Sequence, residues 1–303
     1  MSRSRLALGS DAGARAMTRA AERGRSLWDD ARRRLWRNRA AVTGMAVLAV
    51  LVIAAVVGPY LVPHGYDVIN REDVRVPPFT GDYLLGTEQL GRDVLARLLM
   101  GLRVSLAVAV VATLVSLLIG VAWGAVAGFA GGRVDELMMR VVDVLYSLPF
   151  IFFVVLLTVA FGRSFLLIFA AIGAVEWLTM ARIVRGQTLS LKQKEFVEAA
   201  RAAGLTDLQI IRRHIVPNLL GPVVVYVTLT IPAIILAESF LSFLGLGIQE
   251  PLTSLGVLVA AGAQDMEVSP WLLIFSSGLM ALTLVAFNFI GDGLRDALDP
   301  KDR

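Results

Sequence analysis

Cysteine is absent from this chain, and histidine occurs only twice, at His64 and His214. Without cysteine there is no disulfide framework, no thiolate metal site and no cysteine nucleophile. The two histidines are far apart in the sequence and do not predict a metal site. The chain also lacks a Walker A sequence, a zinc-protease HExxH helix and a Ser/His/Asp arrangement. We therefore expect no catalytic residues, no cofactor and no ATP binding by a phosphate-binding loop.

Charged residues are scarce as well. They make up 18% of the 303 residues, while 56% are hydrophobic and the mean hydropathy is +0.70. A soluble domain has about a quarter of its residues charged. The composition therefore predicts a membrane protein.

The few charges are unevenly distributed. Residues 1–40 hold eleven Lys/Arg against four Asp/Glu, and residues 182–213 hold seven against three. Residues 244–269 hold three acidic residues and no Lys/Arg. Because basic loops stay in the cytoplasm, we predict that the first two segments are cytoplasmic and the third is outside. A basic bias is also found in nucleic-acid-binding proteins, but no nucleic-acid motif accompanies it here, so we expect no nucleic-acid partner.

Apolar stretches then predict the organisation of the chain. The fold class is an all-α polytopic membrane protein with six transmembrane helices and both termini in the cytoplasm. The predicted spans are 40–62, 104–130, 144–161, 164–181, 219–237 and 270–290. Around them lie a cytoplasmic tail (1–39), a periplasmic segment (63–103) and a cytoplasmic C-terminal tail (291–303), with the other five spans forming a core over 104–290. Within the first tail, residues 24–39 have the pattern of an amphipathic interfacial helix or of a plain basic flank.

Small residues recur within the second predicted span. Gly120, Gly124 and Gly128 are spaced four residues apart, so they lie on one side of a helix. Such a row lets a second helix approach closely in lipid. We predict a packing face, although glycine is also generally common in membrane helices.

Two carboxylates, Glu176 and Glu238, lie within or next to predicted spans. A carboxylate in a membrane is costly and is therefore a functional candidate. Glu238 follows a span that contains prolines and precedes a glycine-rich turn. It is a candidate to line a passage or to pair with an arginine of a partner subunit. The alternative is a helix-end carboxylate that is hydrogen-bonded to backbone.

The polar segment 190–217 is the best-patterned region of the chain, and it predicts two short helices. Ser190 with Gln193 has capping-box spacing, which predicts a helix from Leu191. Thr206 with Gln209 repeats this spacing and predicts the start of a second helix.

A glycine and a proline complete the predicted pattern of this segment. Gly204 is placed to end the first helix, and Pro217 to end the second. The first helix carries an apolar stripe at i, i+3, i+4 and i+7: Phe196, Ala199, Ala200 and Ala203. A stripe of mostly small residues suits a groove on another protein. An ordinary helical hairpin folded against its own membrane domain is the alternative.

This segment resembles the EAA loop of ABC-importer permeases. Glu198-Ala199-Ala200, Gly204 and Pro217 stand at that family's spacing, while His214 and Val216 depart from its usual Ile and Leu. GTEQLGRD at 86–93 resembles a signature of the dipeptide, oligopeptide and nickel branch. Further stretches, including ESFLSFLGLG and FNFIGDGLRDALDPKDR, extend the resemblance over nearly the whole chain. They are most similar to the C-type permease subunits of bacterial oligopeptide importers.

The resemblance implies a type I importer fold in the bacterial inner membrane. It implies a second, B-type permease subunit, two cytoplasmic ATPase subunits and a periplasmic peptide-binding protein that delivers oligopeptide near 84–103 and 244–269. The coupling loop at 190–217 would dock on an ATPase through residues that match the family's motif or adjoin it: Phe196, Glu198, Ala199, Ala200, Gly204 and Pro217. Dipeptides, glutathione and nickel are alternative substrates within the family. An ion-driven secondary transporter or a membrane scaffold protein are the alternatives from other classes.

Overall fold

The computed structural model describes residues 27–161 and 165–298, and this part of the chain is helical apart from turns and two isolated β-bridges. The tail predicted at the N-terminus, the turn near 162 and the last five residues lie partly or wholly outside this description. We number the helices in chain order: α1 Leu27–Arg37, α2 Arg39–Val57, α3 Val94–Ala130, α4 Gly132–Ser147, α5 Phe150–Phe161, α6 Phe165–Leu191, α7 Glu195–Ala202, α8 Asp207–Ile210, α9 Val216–Phe243, α10 Leu255–Gln264 and α11 Pro270–Leu298.

Four helical stretches of the described chain are long and apolar enough to cross a membrane: Arg39–Tyr60, Val94–Ala130, Asp207–Phe243 and Pro270–Leu298. The bent pair α4 and α5 makes a fifth if it is counted as one span. In addition, α6 covers the segment predicted as the fourth span and continues to Leu191.

The segment predicted as a span over 144–161, interrupted by Pro149, is divided between two separate helices. α4 runs to Ser147, α5 starts at Phe150, and the two are bent by 85°. The physical reason is Pro149, which disfavours helical backbone in the residue before it. Leu148 accordingly has extended backbone, with φ −79° and ψ 128°.

α3 is the central helix of the bundle. It begins at Asp93, whose carboxylate accepts hydrogen bonds from the amides of Leu95 and Ala96 as an N-cap. Its 37 residues pack most extensively against α6, and they also contact α9 and α10. Buried aliphatic residues of α3, α6 and α9, such as Val108, Ile172 and Ile234, form the main core.

The two described ends of the chain meet at one end of the bundle. Gly293 of α11 packs against Ala41 of α2, and Asn38 caps α2 by accepting from the amide of Ala41. Nearby, Arg295 of α11 lines a cavity with Gln187 of α6, which leads into the polar loop. We call this the terminal end. The segment 61–93 and the loop 244–269 lie together at the opposite end, joined by ion pairs.

Candidate coupling surface

The polar loop at the terminal end is built from two helical pieces and one left-handed turn. α7 ends at Ala202, and Gly204 follows with φ +81°, a conformation that costs glycine no Cβ strain. At Thr206 the predicted capping box is present. The hydroxyl accepts from the amide of Gln209, and the Gln209 side chain accepts from the amide of Thr206.

Two predicted boundaries of this loop are wrong. Ser190 does not open a helix, because α6 continues through it to Leu191 and α7 begins only at Glu195. Pro217 does not end a helix either. It is the second residue of α9, a helix that directly follows a π-helical turn. This turn, Ile211–Ile215, connects α8 to α9, so the loop runs into the membrane helix without a break.

One side of the loop is anchored in its own chain. Val197 and Ala200 of α7 are buried with Ile210 and Ile215, against Phe129 of α3. Two cations lie over that phenylalanine ring. The Arg201 guanidinium is 5.3 Å and the Lys192 ammonium 5.6 Å from its centroid. The loop therefore has a fixed position relative to α3 without any partner protein.

The other side of α7 is exposed. Phe196 is 38% exposed, and Glu198 and Ala199 are exposed beside it. Leu208 of α8 is 62% exposed. The Phe196 ring lies 6.4 Å from the ring of His214. Together these residues form an apolar surface with a charged rim, which we call the coupling surface: Phe196, Glu198, Ala199 and Leu208.

The structure divides the predicted alanine stripe between these two sides. Ala199 belongs to the coupling surface, but Ala200 faces the chain's own interior. The expectation that Ala200 is buried against a partner is corrected, because Val197 and Ala200 together form the inward face of α7. Sequence reasoning overlooked Val197, although its i,i+3 spacing with Ala200 is a helical signal.

The helix that leads into the loop is held by the glycine row of α3. A Cβ atom on Gly120 would lie 2.5 Å from Met180 Cγ, and one on Gly128 would lie 2.8 Å from the carbonyl oxygen of Arg185. At Gly124 a Cβ would overlap the Ala181 carbonyl oxygen. These distances are below any normal contact, so α3 and α6 touch through backbone.

Two arginines of α6, missed by the sequence reasoning, link it to α4. Arg185 forms a bidentate pair with Asp135, both N···O distances being 2.6 Å. Arg182 pairs with Asp143 at 2.8 Å and stacks on the Tyr146 ring. These groups line an open cleft of about 500 Å³. Bidentate pairing fixes orientation as well as distance, so Arg185 and Asp135 define how α4 is oriented against α6.

Ion pairs tie the two segments at the opposite end. Arg92 bridges Glu88 and Glu250, and its Nη2 lies 2.8 Å from Glu250 Oε1. The hydrogen bond from Arg92 holds the pKa of Glu250 below its ordinary value, against partial burial. Arg75 binds Asp265 through Nε at 3.1 Å and Nη2 at 2.8 Å. This hydrogen-bonded pairing likewise lowers the pKa of Asp265.

Glu238 is not positioned to line a passage. It is fully buried and accepts hydrogen bonds from the hydroxyls of Ser242 at 2.7 Å, Ser254 at 2.6 Å and Ser105 at 3.4 Å. These serines lie on α9, at the N-cap of α10, and on α3. The passage-lining prediction is therefore corrected. The alternative, that the Glu238 carboxylate is hydrogen-bonded to backbone at a helix end, is corrected as well. Its partners are serine side chains, and they connect three helices.

Within residues 27–161 and 165–298, no group of three or more His, Asp or Glu side chains could hold a metal ion. The features that the described chain brings together are the exposed coupling surface, its anchored inner side and the rigid helix pair behind it.

Comparison with known proteins identifies the class to which this arrangement belongs. Residues 120–303, more than half of the chain, match the family of binding-protein-dependent transport system inner membrane components. Residues 26–78 match the N-terminal transmembrane domain of oligopeptide transport permease C. The chain therefore belongs to the binding-protein-dependent permease family.

Individual relatives agree with this assignment. The chain is 54% identical over 281 residues to an oligopeptide transport system permease protein of Haemophilus influenzae, covering 92% of this chain and 90% of that protein. It is 55% identical to the Escherichia coli K12 counterpart, covering 92% and 93%. A dipeptide transport permease of Bacillus subtilis is 46% identical, covering 92% and 87%.

A solved structure supports the fold. The inward-facing MetNI methionine ABC transporter has a chain that superposes with a TM-score of 0.54 at 22% identity. The superposition covers 67% of this chain and 96% of that one. The helical permease fold of type I importers is therefore shared.

Proposed function

We propose that this chain is the membrane-spanning permease subunit of an ATP-binding-cassette importer that takes up oligopeptides. In the proposed assembly it pairs with a second permease chain, two cytoplasmic ATPase subunits power it, and a binding protein delivers the peptide. The chain lies in the bacterial inner membrane, with six spans and both termini in the cytoplasm. High identity to oligopeptide permeases over nearly the full chain supports the substrate class.

The observation that carries the coupling role is the two-sided loop. Its inner side packs against Phe129 of α3. On its outer side, Phe196 and Leu208 are exposed in an otherwise polar segment. An exposed aromatic beside a small alanine fits a groove on a partner, because the aromatic provides buried area and the alanine permits close approach.

The coupling surface is connected directly to two of the long helices, α6 and α9. α9 continues the loop without a break through the π-helical turn. α6 enters the loop from the other side and is fixed to α3 by backbone contact and to α4 by Arg185. We propose that closure of the ATPases displaces the coupling surface and that α6 and α9 transmit this displacement to the spans. No step of the chemistry falls to this chain, since ATP is hydrolysed on the partners.

Reconstitution tests the proposal. The chain, its partner permease and the ATPases are placed in liposomes, and ATP hydrolysis is measured with the binding protein plus peptide. We expect peptide-dependent stimulation and uptake of labelled oligopeptide. Uptake driven by an ion gradient without ATP would instead identify a secondary transporter.

The substrate is tested with a panel in the same liposomes. A dipeptide permease among the relatives makes dipeptides the second candidate, and glutathione and nickel complete the panel. Preferential uptake of peptides longer than two residues supports the oligopeptide assignment. Equal or better uptake of dipeptides would move the chain to the dipeptide branch without changing the coupling mechanism.

A further inference from the structure

Two adjoining cavities open beside the loop, on the side of α9 that faces α3. The first, of about 400 Å³, is lined almost wholly by apolar side chains, including Leu118, Ala122 and Val126 of α3 and Leu219 and Val223 of α9. The second, of about 540 Å³, is lined by Thr206, Leu208, Gln209, Arg212 and Arg213. Leu208 and Arg212 border both, so an apolar cavity directly adjoins a cationic one.

The cations of the second cavity are available to a ligand. Arg212 and Arg213 are exposed, and neither forms an ion pair with another residue of the described chain. Both stand on the π-helical turn, an arrangement that is found frequently at functional sites. The other arginines near the loop are engaged: Arg182 and Arg185 with carboxylates, and Arg201 with an aromatic ring.

Under the topology of the proposed function, the two cavities lie at different depths of the membrane. The apolar one is formed by stretches of α3 and α9 that are apolar enough to cross a bilayer. The arginines come immediately before α9, where a basic residue sits at headgroup level on the cytoplasmic side. An occupant must therefore have a hydrocarbon portion inside the membrane and a negative charge at its surface.

We propose that this double cavity binds one anionic phospholipid of the cytoplasmic leaflet. An acyl chain fills the chamber between α3 and α9, and the phosphate lies between Arg212 and Arg213. A helix of a partner chain is a poorer match, because with side chains it is about 10 Å wide and it would have to supply the anion separately. Since Leu208 belongs to both the cavity border and the coupling surface, the lipid contacts the segment that meets the ATPase.

The probe is phosphatidylglycerol. The full chain is reconstituted alone, with its partner permease, and with the partner permease and the ATPases, in nanodiscs of phosphatidylcholine with a minor fraction of phosphatidylglycerol. Native mass spectrometry counts the retained lipid and the bound protein subunits. Three variants address the two chambers: Arg212→Gln, Arg213→Gln and Ala122→Trp. Two matched controls are Arg133→Gln, an exposed arginine on α4, and Val110→Trp, an exposed position of α3 outside the cavity.

We expect each arginine variant to lower phosphatidylglycerol retention roughly fivefold, the effect of one basic residue near an anionic surface. Ala122→Trp should lower retention of both lipids, and the two controls should match the parent chain. Equal retention in all variants would overturn the proposal. So would a loss of partner permease with Ala122→Trp, or a loss of ATPase with Arg212→Gln, if lipid retention were unchanged, since the cavity would then be a protein interface.

Discussion

The hydroxyl of Ser254 donates to Glu238 at 2.6 Å while its oxygen accepts from the amide of Val257. The same serine therefore caps α10 and binds the buried carboxylate of α9. Ser105 of α3 repeats this arrangement, since it accepts from the amide of Leu255 and donates to Glu238. One carboxylate thus closes a junction of three helices at the end of the bundle opposite the coupling surface.

Glu238→Ala should destabilise the chain strongly, because three buried hydroxyl groups lose their acceptor at once. Each unsatisfied buried donor costs on the order of 1–3 kcal/mol, so we expect a total of about 3 kcal/mol or more. Thermal unfolding of the purified protein measures this. Glu136→Ala, an exposed carboxylate of α4, is the control and should be neutral. Unchanged stability with altered transport would favour the passage-lining role that the structure argues against.

Gly124→Ala should disrupt the α3–α6 pair despite adding only one methyl group. The new Cβ would overlap the Ala181 carbonyl oxygen, and neither backbone can yield without separating the helices. We expect a loss of roughly 1–3 kcal/mol, typical of overpacking. Gly278→Ala is the matched control, because nothing lies within 4 Å of its Cβ position. Equal unfolding temperatures for the two variants would contradict backbone contact between α3 and α6.

Gly204→Val tests the turn of the coupling loop. At φ +81° a β-branched residue is strained, and the Cβ would meet no neighbouring atom, so backbone strain is the whole effect. We expect membrane insertion to be retained while peptide-stimulated ATP hydrolysis is lost. Gly204→Asn should keep most activity, since asparagine tolerates this conformation. Full activity of the valine variant in the same liposome assay would argue against a fixed turn.

Ala199→Trp and Ala200→Trp separate the two sides of α7. Ala199 is exposed on the coupling surface, so tryptophan there should abolish ATPase co-purification with little change in unfolding temperature. Ala200 is buried against the chain itself, so tryptophan there should lower the unfolding temperature. If the Ala199 variant still binds ATPase at parental levels, the partner docks elsewhere on the loop.

The sequence was most informative where a local rule decides the structure. Thr206 and Gln209 satisfy each other within one turn, so the capping box could be predicted and is present. The same rule failed at Ser190, because contacts of α6 with α3 extend that helix and override a local start signal. Pro217 was misjudged for a related reason: proline is equally compatible with leaving one helix and with entering the next.

Features that depend on distant residues could not be predicted. The partners of Glu238 come from Ser105 and Ser254, on two other helices, and no spacing rule connects them. The bend before Pro149 was foreseen only as an interruption, since its angle is set by packing of α4 and α5 against α6. Sequence periodicity also could not divide the alanine stripe, because Ala199 and Ala200 differ only in which neighbour they face.

Acid should weaken the junction between the segment 61–93 and the loop 244–269. Because Arg75 lowers the pKa of Asp265 in the folded protein, the pair stabilises the fold above the unfolded aspartate pKa of about 3.9. That contribution is lost as the pH falls through the lower folded pKa. Arg75→Gln should therefore lower the unfolding temperature at pH 6, and the difference from the parent should shrink as the pH falls below about 3.9.

The measurement is a series of thermal unfolding curves from neutral pH into this acidic range, with Glu267→Gln as the control. Glu267 is an exposed acid on the same loop and has no ion pair within the described chain. The Arg92–Glu250 pair is present in all three proteins, so its own acid dependence cancels in the comparison. A difference between Arg75→Gln and the parent that stayed constant across the whole series would show that Arg75 acts through packing, and not through the charge of Asp265.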